Sequence, residues 1–224
     1  MAAPAAALPV TYSPTTALLV VDVQNDFCHP DGSLSLPGAA GALPTINAHV
    51  AAAAAAAAPV VYTADWHPPV TPHFVTSGGQ WPVHCVADTW GARFLDGLAL
   101  VGDAVVRKGV GGEDGYSGFG ARVVVGAGGG GSAAGGQGGG EVATEHSGGG
   151  EVVDTGLTAL LTARAVRSVV VVGVAGDVCV RATALDAVAG GWATTLVRGG
   201  VAYVDAGAVG RVEAELAAAG VRLV

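Results

Sequence analysis

Charge, aromatic rings, cysteines and long apolar stretches are all scarce in this 224-residue chain, and each shortage narrows what it can be. Only 12% of the residues are charged, and the ten basic ones are outnumbered by 18 acidic ones, for a net charge of −8. An acidic surface repels a phosphate backbone, so no nucleic-acid partner is expected. The hydrophobic content reaches 51%, but it is mostly alanine and valine in short runs. The longest, Val50–Val61, is broken by Pro59 and is about half of the roughly 20 residues a membrane-spanning helix needs. No membrane partner is therefore expected. Three cysteines (Cys28, Cys85 and Cys179) cannot all pair and form no C-x-x-C clip, which suits a reducing compartment. The opening stretch MAAPAAALPVTYSPTT lacks a basic leader region and the arginines of a transit peptide, so the expected location is cytoplasmic.

Glycine, by contrast, is abundant. Gly126–Gly150 holds 13 of the 37 glycines with almost no apolar mass. The phosphate-loop pattern GxxxxGK[ST] is absent there, and such composition cannot offset its own ordering entropy. The stretch is expected to be a flexible surface insertion within a single domain spanning residues 1–224, a length that one core can serve.

Six runs lack strict apolar–polar alternation and predict strands buried on both faces: Ala17–Val23, Pro59–Thr63, Ala104–Arg107, Ser168–Val174, Thr194–Val197 and Val221–Val224. Helical patterns lie between them. One is opened by Pro44 and closed by Pro59. A second is capped by Asp154 or Thr155, with Leu157, Leu160 and Leu161 on one face. A third, Cys179–Ala189, stops at Gly190–Gly191, and a last one runs through Val209, Val212 and Leu216 to Gly220. This alternation predicts an α/β fold with a parallel sheet between helices.

In such sheets ligands sit at the carboxyl ends of the strands. Four predicted strands end in or run into reactive side chains: Asp22, then Asp65 and His67, then Lys108, then Cys179. Cys179 opens a helix, where partial positive charge and free N–H groups lower a thiol pKa and can hold an oxyanion. Lys108 would lower it further, and Asp22 is placed to take the proton. The alternatives are a small buried structural cysteine and a structural ion pair between Asp22 and Lys108. Thr63–Cys85 holds Asp65, His67, His73 and His84, including half of the six histidines. Mixed carboxylate and imidazole donors suit zinc, iron or manganese, with a position left open for substrate. His49 is expected on a helix surface, and His146 falls in the glycine insertion. Phe27, Trp66, Trp81 and Tyr116 stand next to these motifs; core packing is one reading, and a slot for a planar ring is the other.

The runs ALLVVDVQNDFC, TADWHPP, WPVHCV, RKGVGGEDGYSGF and VVVVGVAGDVCVRATALDAV resemble the nicotinamidase/pyrazinamidase branch of the isochorismatase-like cysteine hydrolases. The resemblance implies a three-layer α-β-α fold with a six-stranded parallel sheet, assembled as a homo-oligomer. It implies a catalytic triad of Asp22, Lys108 and Cys179, and an oxyanion hole from the backbone N–H groups of Ala175 and Cys179, with a cis peptide at Val174–Ala175. Asp65, His67 and His84 match the family's metal ligands, zinc foremost, while His73 matches a position that ligates in some members and lies nearby in others. Phe27 and Trp81 match residues flanking the substrate ring. The implied reaction is hydrolysis of nicotinamide to nicotinate and ammonia through a cysteine thioester, in NAD salvage, with pyrazinamide also accepted. A metal-independent amidohydrolase acting on an N-carbamoyl or ureido compound is the alternative within the fold, and a non-catalytic binding protein is the alternative outside enzymes. Two departures stand next to the nucleophile: Gly176, where the family often has threonine, and Val178, where it has an aromatic residue or histidine. Arg198–Asp205 matches the usual acidic turn only loosely.

Overall fold

Strand β1 (Thr16–Val21) reads TALLVV, and every residue after the first is buried. It lies inside a six-stranded sheet, which explains why it is apolar on both faces. The structure, a computed structural model, describes residues 8, 10–102, 104–111, 114–123 and 151–224. β1 pairs in parallel with β2 (Val60–Asp65) on one side and β7 (Ser168–Gly173) on the other. β3 (Ala104–Lys108) extends the sheet beyond β2, while β8 (Ala193–Val201) and β9 (Arg222–Leu223) extend it beyond β7. The order is β3-β2-β1-β7-β8-β9, and all five pairings are parallel.

Alternate residues of β1 feed two cores, as the period of a strand requires. Leu18 and Val20 join Ile46 and Val50 of helix α2 (Ala39–Ala55). Ala17, Leu19 and Val21 join Leu157 and Leu161 of α3 (Leu157–Ala163), Val180 and Ala184 of α4 (Cys179–Ala189), and Val212 and Leu216 of α5 (Val209–Ala218). The chain therefore has the expected three layers, helix on sheet on helix. A four-residue helix α1 (Asn25–Cys28) directly follows the end of β1.

Several elements differ from the sequence reading. Helix α2 starts at Ala39, after Gly38, so Pro44 lies inside it. As the sixth helical residue, Pro44 forfeits the backbone bond to the Ala40 carbonyl, and the alanine-rich sequence that follows sustains the helix. His49 is fully buried, with its Nδ1 2.8 Å from the Tyr12 hydroxyl. The N-terminal segment covers this part of α2, and a helical pattern that is mostly alanine could not foretell it. The cap of α3 is Gly156, while Asp154 belongs to a strand and the Thr155 hydroxyl accepts the Leu157 N–H at 3.4 Å.

A second, antiparallel sheet was not foreseen. It consists of β4 (Asp114–Ser117), β5 (Gly120–Val123) and β6 (Glu151–Asp154) in that order. Each strand has four residues, too few to show a period against a glycine-rich background. Val123 and Glu151 are register partners, so the chain leaves and re-enters this sheet at one place. The glycine insertion read at 126–150 lies outside the described residues, as does His146. The turn between β4 and β5 is tied to α4, because the Gly118 N–H donates to the Thr183 hydroxyl at 3.0 Å.

Candidate active site

The parallel register brings the reactive strand ends to one rim. Val21 lies beside Thr63 on one neighbour and Gly173 on the other, and Asp65 lies beside Lys108. Asp22 leaves β1 with φ of 50°, a left-handed conformation that aspartate tolerates better than most residues. Its N–H reaches the Thr63 carbonyl at 3.2 Å. β7 continues through a turn at 174–178 into Cys179, the first residue of α4.

These elements place four groups in contact. Lys108 Nζ is 2.9 Å from Asp22 Oδ2, pairs with Asp65 Oδ1 and stands 3.5 Å from Cys179 Sγ. The Thr63 hydroxyl donates to Asp22 Oδ1 at 2.6 Å. Carboxylate oxygens of Asp22 and Asp65 and the sulfur of Cys179 all lie within 4.8 Å of one another. Lys108 is 1% exposed and Asp22 0%. A buried ammonium of this kind needs paired charge, and two carboxylates supply it.

The electrostatics correct one expectation. Burial pushes the Cys179 thiol well above its usual range; Lys108 opposes that shift, and Asp22 and Asp65 reinforce it. A helix N-terminus and one ammonium therefore do not yield a resting thiolate, because desolvation and two carboxylates outweigh them. Burial also raises Asp22, against the pull of Lys108. Burial alone would raise Asp65 too, yet Lys108, His67 and His84 take it well below the usual carboxylate range. Lys108 is raised far above an ordinary lysine: burial alone would lower it, and its two carboxylates overcome that. The resting site is thus a protonated thiol beside a carboxylate of enhanced basicity. Cys28, pushed up to about 12 by burial, and Cys85, raised well above its usual value by burial, are also buried thiols.

Two backbone donors border the sulfur. Ala175 and Cys179 both line the cleft, and among the described residues neither N–H meets a protein acceptor. The Ala175 carbonyl is engaged by Val178 and Val180 at 3.0 Å each. The Val174–Ala175 peptide is cis.

Asp65 links this cluster to the histidines. Its Oδ2 stands 3.7 Å from Nε2 of both His67 and His84, and one nitrogen each of His67, His73 and His84 lies within 4.8 Å of the others. Two observations test whether a cation fits. Both ring nitrogens of His67 are buried without a hydrogen bond, although a buried imidazole ordinarily finds partners. His84 Nδ1 lies 2.7 Å from the Pro82 carbonyl. A carbonyl only accepts, so that nitrogen carries the proton and Nε2 turns its lone pair toward Asp65, the orientation a metal ligand requires. The donor set of three imidazoles and a carboxylate fits a divalent cation, and His73 belongs to the cluster.

The cleft beside these groups opens to solvent and spans about 350 Å³, open space included. Phe27, Leu34, Leu36, Val178 and Val204 form an apolar wall, and His73, Trp81 and Tyr116 border it as well. The Tyr116 hydroxyl accepts from Gln80 Nε2 at 2.8 Å and Trp81 Nε1 at 3.0 Å. Phe27 and Trp81 thus both line this cleft. Trp66 does not reach the cleft, and Arg107 stacks 3.8 Å above its ring.

Supporting residues escaped the sequence reading. Gln24, fully buried, donates to the Asp65 and Ala92 carbonyls at 2.8 and 2.9 Å and accepts the Asp65 N–H at 2.8 Å, fixing that backbone. Asp26 accepts the Cys85 N–H at 2.7 Å and the Ser33 N–H at 3.1 Å, anchoring the segment that carries His84. Both belong to the DVQNDF run, where polar residues directly after a buried strand were the available signal.

Comparison with known proteins agrees with this geometry. The family description "Isochorismatase domain" matches residues 16–122 and 137–221. The chain is 36% identical over 217 residues to the nicotinamidase/pyrazinamidase of Mycobacterium tuberculosis, covering 93% of this chain and 97% of that protein. Among solved structures, PnC1 from L. infantum in complex with nicotinate is similar with a TM-score of 0.78 and 37% identity, over 97% of this chain and 96% of that one. The pyrazinamidase of Pyrococcus horikoshii in complex with zinc gives a TM-score of 0.75 at 31% identity, over 94% and 99%. Matched along most of its sequence and built on the same parallel sheet, the chain belongs to the isochorismatase domain family.

Proposed function

We propose that the protein hydrolyses nicotinamide to nicotinate and ammonia, as part of NAD salvage, with Asp22, Lys108 and Cys179 as its catalytic residues. The observation that carries this reading is the contact of one thiol, one ammonium and two carboxylates beside a histidine cluster. Its support from comparison is the similarity to a nicotinamidase/pyrazinamidase over 93% of the chain.

Asp22 takes the Cys179 thiol proton as the sulfur adds to the carboxamide carbon. A carboxylate raised by burial is better matched to that task than an ordinary one. Lys108 balances the negative charge that moves between sulfur and carboxylate. The N–H groups of Ala175 and Cys179 hold the oxyanion, the step at which preorganised donors contribute most. Asp22 returns its proton to the departing nitrogen, so that ammonia leaves and a thioester remains. Asp22 then accepts a proton from water as the hydroxide adds to the thioester, and nicotinate and the Cys179 thiol are released. Phe27 and Trp81 flank the ring. Asp65, His67 and His84, with His73 beside them, would hold a divalent cation, zinc by preference, which when bound supplies a Lewis-acid anchor for the pyridine nitrogen. We further propose that residues 1–224 form one domain acting as a homo-oligomer in the cytoplasm; the three free, buried cysteines suit a reducing compartment.

A coupled ammonia assay on nicotinamide, before and after chelation and with metal content measured on the same sample, tests the reading. Ammonia release that falls with metal content and returns with zinc supports it. No release from nicotinamide, or release unchanged in Cys179→Ala, overturns it.

A further inference from the structure

The turn joining β7 to α4 is clasped from outside by the residues that follow β8. The Gly176 N–H donates to the Ala202 carbonyl at 2.7 Å, and the Ala202 N–H donates to the Gly173 carbonyl at 3.3 Å. From the other side, the Asp177 carboxylate accepts the N–H groups of Val204 at 2.9 Å and Asp205 at 3.0 Å. Three hydrogen bonds thus fasten 202–205 to the turn that delivers Ala175 and Cys179, and a fourth holds them to the end of β7. Val204 continues from this clasp into the wall of the cleft.

Tyr203 occupies the middle of the clasp. A Cβ on Gly176 would stand 2.5, 2.6 and 2.7 Å from its Cε1, Cζ and Cδ1, closer than carbon atoms approach. Gly176 does not have a positive φ, so the backbone does not demand glycine at this position. The space does. The ring packs against the core shared with α4 and α5, and its hydroxyl is buried without a hydrogen-bond partner. Burying an unpaired hydroxyl is unfavourable, so the ring is held by packing and not by a polar contact. A glycine leaves a turn more conformational freedom than any other residue. Oxyanion donors, however, act only when held in place before the reaction. A rigid ring filling the place of the missing side chain removes that freedom.

We infer that Tyr203 is a positioning residue: its ring stands in for a side chain on Gly176 and, with Asp177, fixes the turn that presents the Ala175 and Cys179 N–H groups. The inference rests on the proposed reaction, and the two can fail separately.

The test measures kcat and KM for ammonia release from nicotinamide, with unfolding midpoints, in wild type, Gly176→Ala, Tyr203→Ala, the double variant and Asp177→Ala. Gly176→Ala is expected to lower kcat about tenfold or more with KM moving less than about twofold, the signature of a lost transition-state contact. The double variant, in which the ring no longer meets the added methyl, is expected to recover at least about fivefold in kcat over Gly176→Ala, so the two changes are not additive. Asp177→Ala adds no atoms and should show the same KM-sparing loss. It decides the matter if Gly176→Ala does not fold. The inference is overturned if kcat stays within about twofold of wild type in Tyr203→Ala, or in both Gly176→Ala and Asp177→Ala, while only the unfolding midpoint moves, or if the losses of the two single variants simply multiply in the double variant. Wild type that releases no ammonia sinks the proposed reaction alone. Iodoacetamide alkylation of Cys179 then judges the clasp without substrate: a rate shifted more than about threefold in Asp177→Ala supports it, and an unchanged rate overturns it.

Discussion

Replacing Asp22 by asparagine separates what this carboxylate does for the reaction from what it does for the fold. The variant keeps the shape of the side chain and an oxygen for the Thr63 hydroxyl, now 2.6 Å away, but it cannot accept the thiol proton. Because Cys179 is raised well above its usual pKa, no thiolate is held in reserve. A general base contributes about 10²–10⁴ in rate, so kcat should fall by that factor. Stability should respond quite differently. Asp22 has its pKa raised on folding, which means that its ionised form is less at home in the native state than in the unfolded chain. Such a carboxylate subtracts stability as the pH rises past its ordinary value, and a neutral amide does not. Lys108 keeps Asp65 as its partner. Against this, the amide NH2 would take the place of Oδ2 and face the Lys108 ammonium at 2.9 Å, donor to donor. Asp22→Asn should therefore lose some stability in denaturant unfolding at neutral pH, but less than the roughly 3 kcal/mol of an orphaned buried charge.

Lys108→Met provides the contrast. It removes the one ammonium that separates two buried carboxylates, and orphaning buried charge costs about 3–5 kcal/mol. Activity and stability should therefore fall together in Lys108→Met, while in Asp22→Asn activity should fall far more than stability. Ammonia release and urea titration on the same preparations read both quantities. Asp22→Asn retaining more than about a tenth of wild-type kcat would refute the assignment of the base.

Three further outcomes can be checked. His49 has its pKa lowered by burial, so the unfolded chain binds its proton more readily than the folded one; the resulting stability is complete above the ordinary histidine value of about 6.5 and is lost as the pH falls below it. His49→Gln should flatten the pH dependence of unfolding in that window by up to about 1.4 kcal/mol per pH unit, and an unchanged slope contradicts the burial argument. Gly109 has φ of 74°, and a Cβ there would overlap Cε1 and Nδ1 of His67; Gly109→Ala should lower bound metal per chain, measured by elemental analysis, while full occupancy would speak against His67 as a ligand. Because Val123 and Glu151 face each other in register, replacing 126–150 by a short Asn-Gly turn should leave a single unfolding transition and kcat within about twofold. Loss of either would count against one domain carrying a dispensable insertion.

Much of the fold was legible because burial on both faces writes itself into composition. β1 and β7 are apolar nearly throughout, and such runs predict a parallel sheet before any long-range information is used. The convergence of Asp22, Asp65, Lys108 and Cys179 followed, since parallel strands share a carboxyl end. What stayed hidden depended on partners remote in sequence. His49 is buried by Tyr12, 37 residues away, and nothing on an alanine-rich helix marks the covered side. β4 to β6 are stabilised by pairing across an intervening stretch, and four residues are too few to carry a period. Gln24 looks like any polar residue after a strand until its amide is seen holding the backbone of Asp65.

The thiol illustrates a deeper limit. Its position at the start of a helix, near a lysine, points toward a depressed pKa, and Lys108 does pull the thiol down. The net shift has the opposite sign because the site is fully buried and holds two carboxylates for one ammonium. Desolvation belongs to the assembled molecule and has no signature in local sequence. The consequence reaches the proposed reaction: a nucleophile that rests as a thiol requires a neighbouring base, so in that reaction the proton would pass to Asp22 as the sulfur attacks the substrate. The same burial that raises the thiol also raises Asp22 beside it, so the low-dielectric pocket that makes the proton harder to remove makes the carboxylate proposed to take it a stronger base.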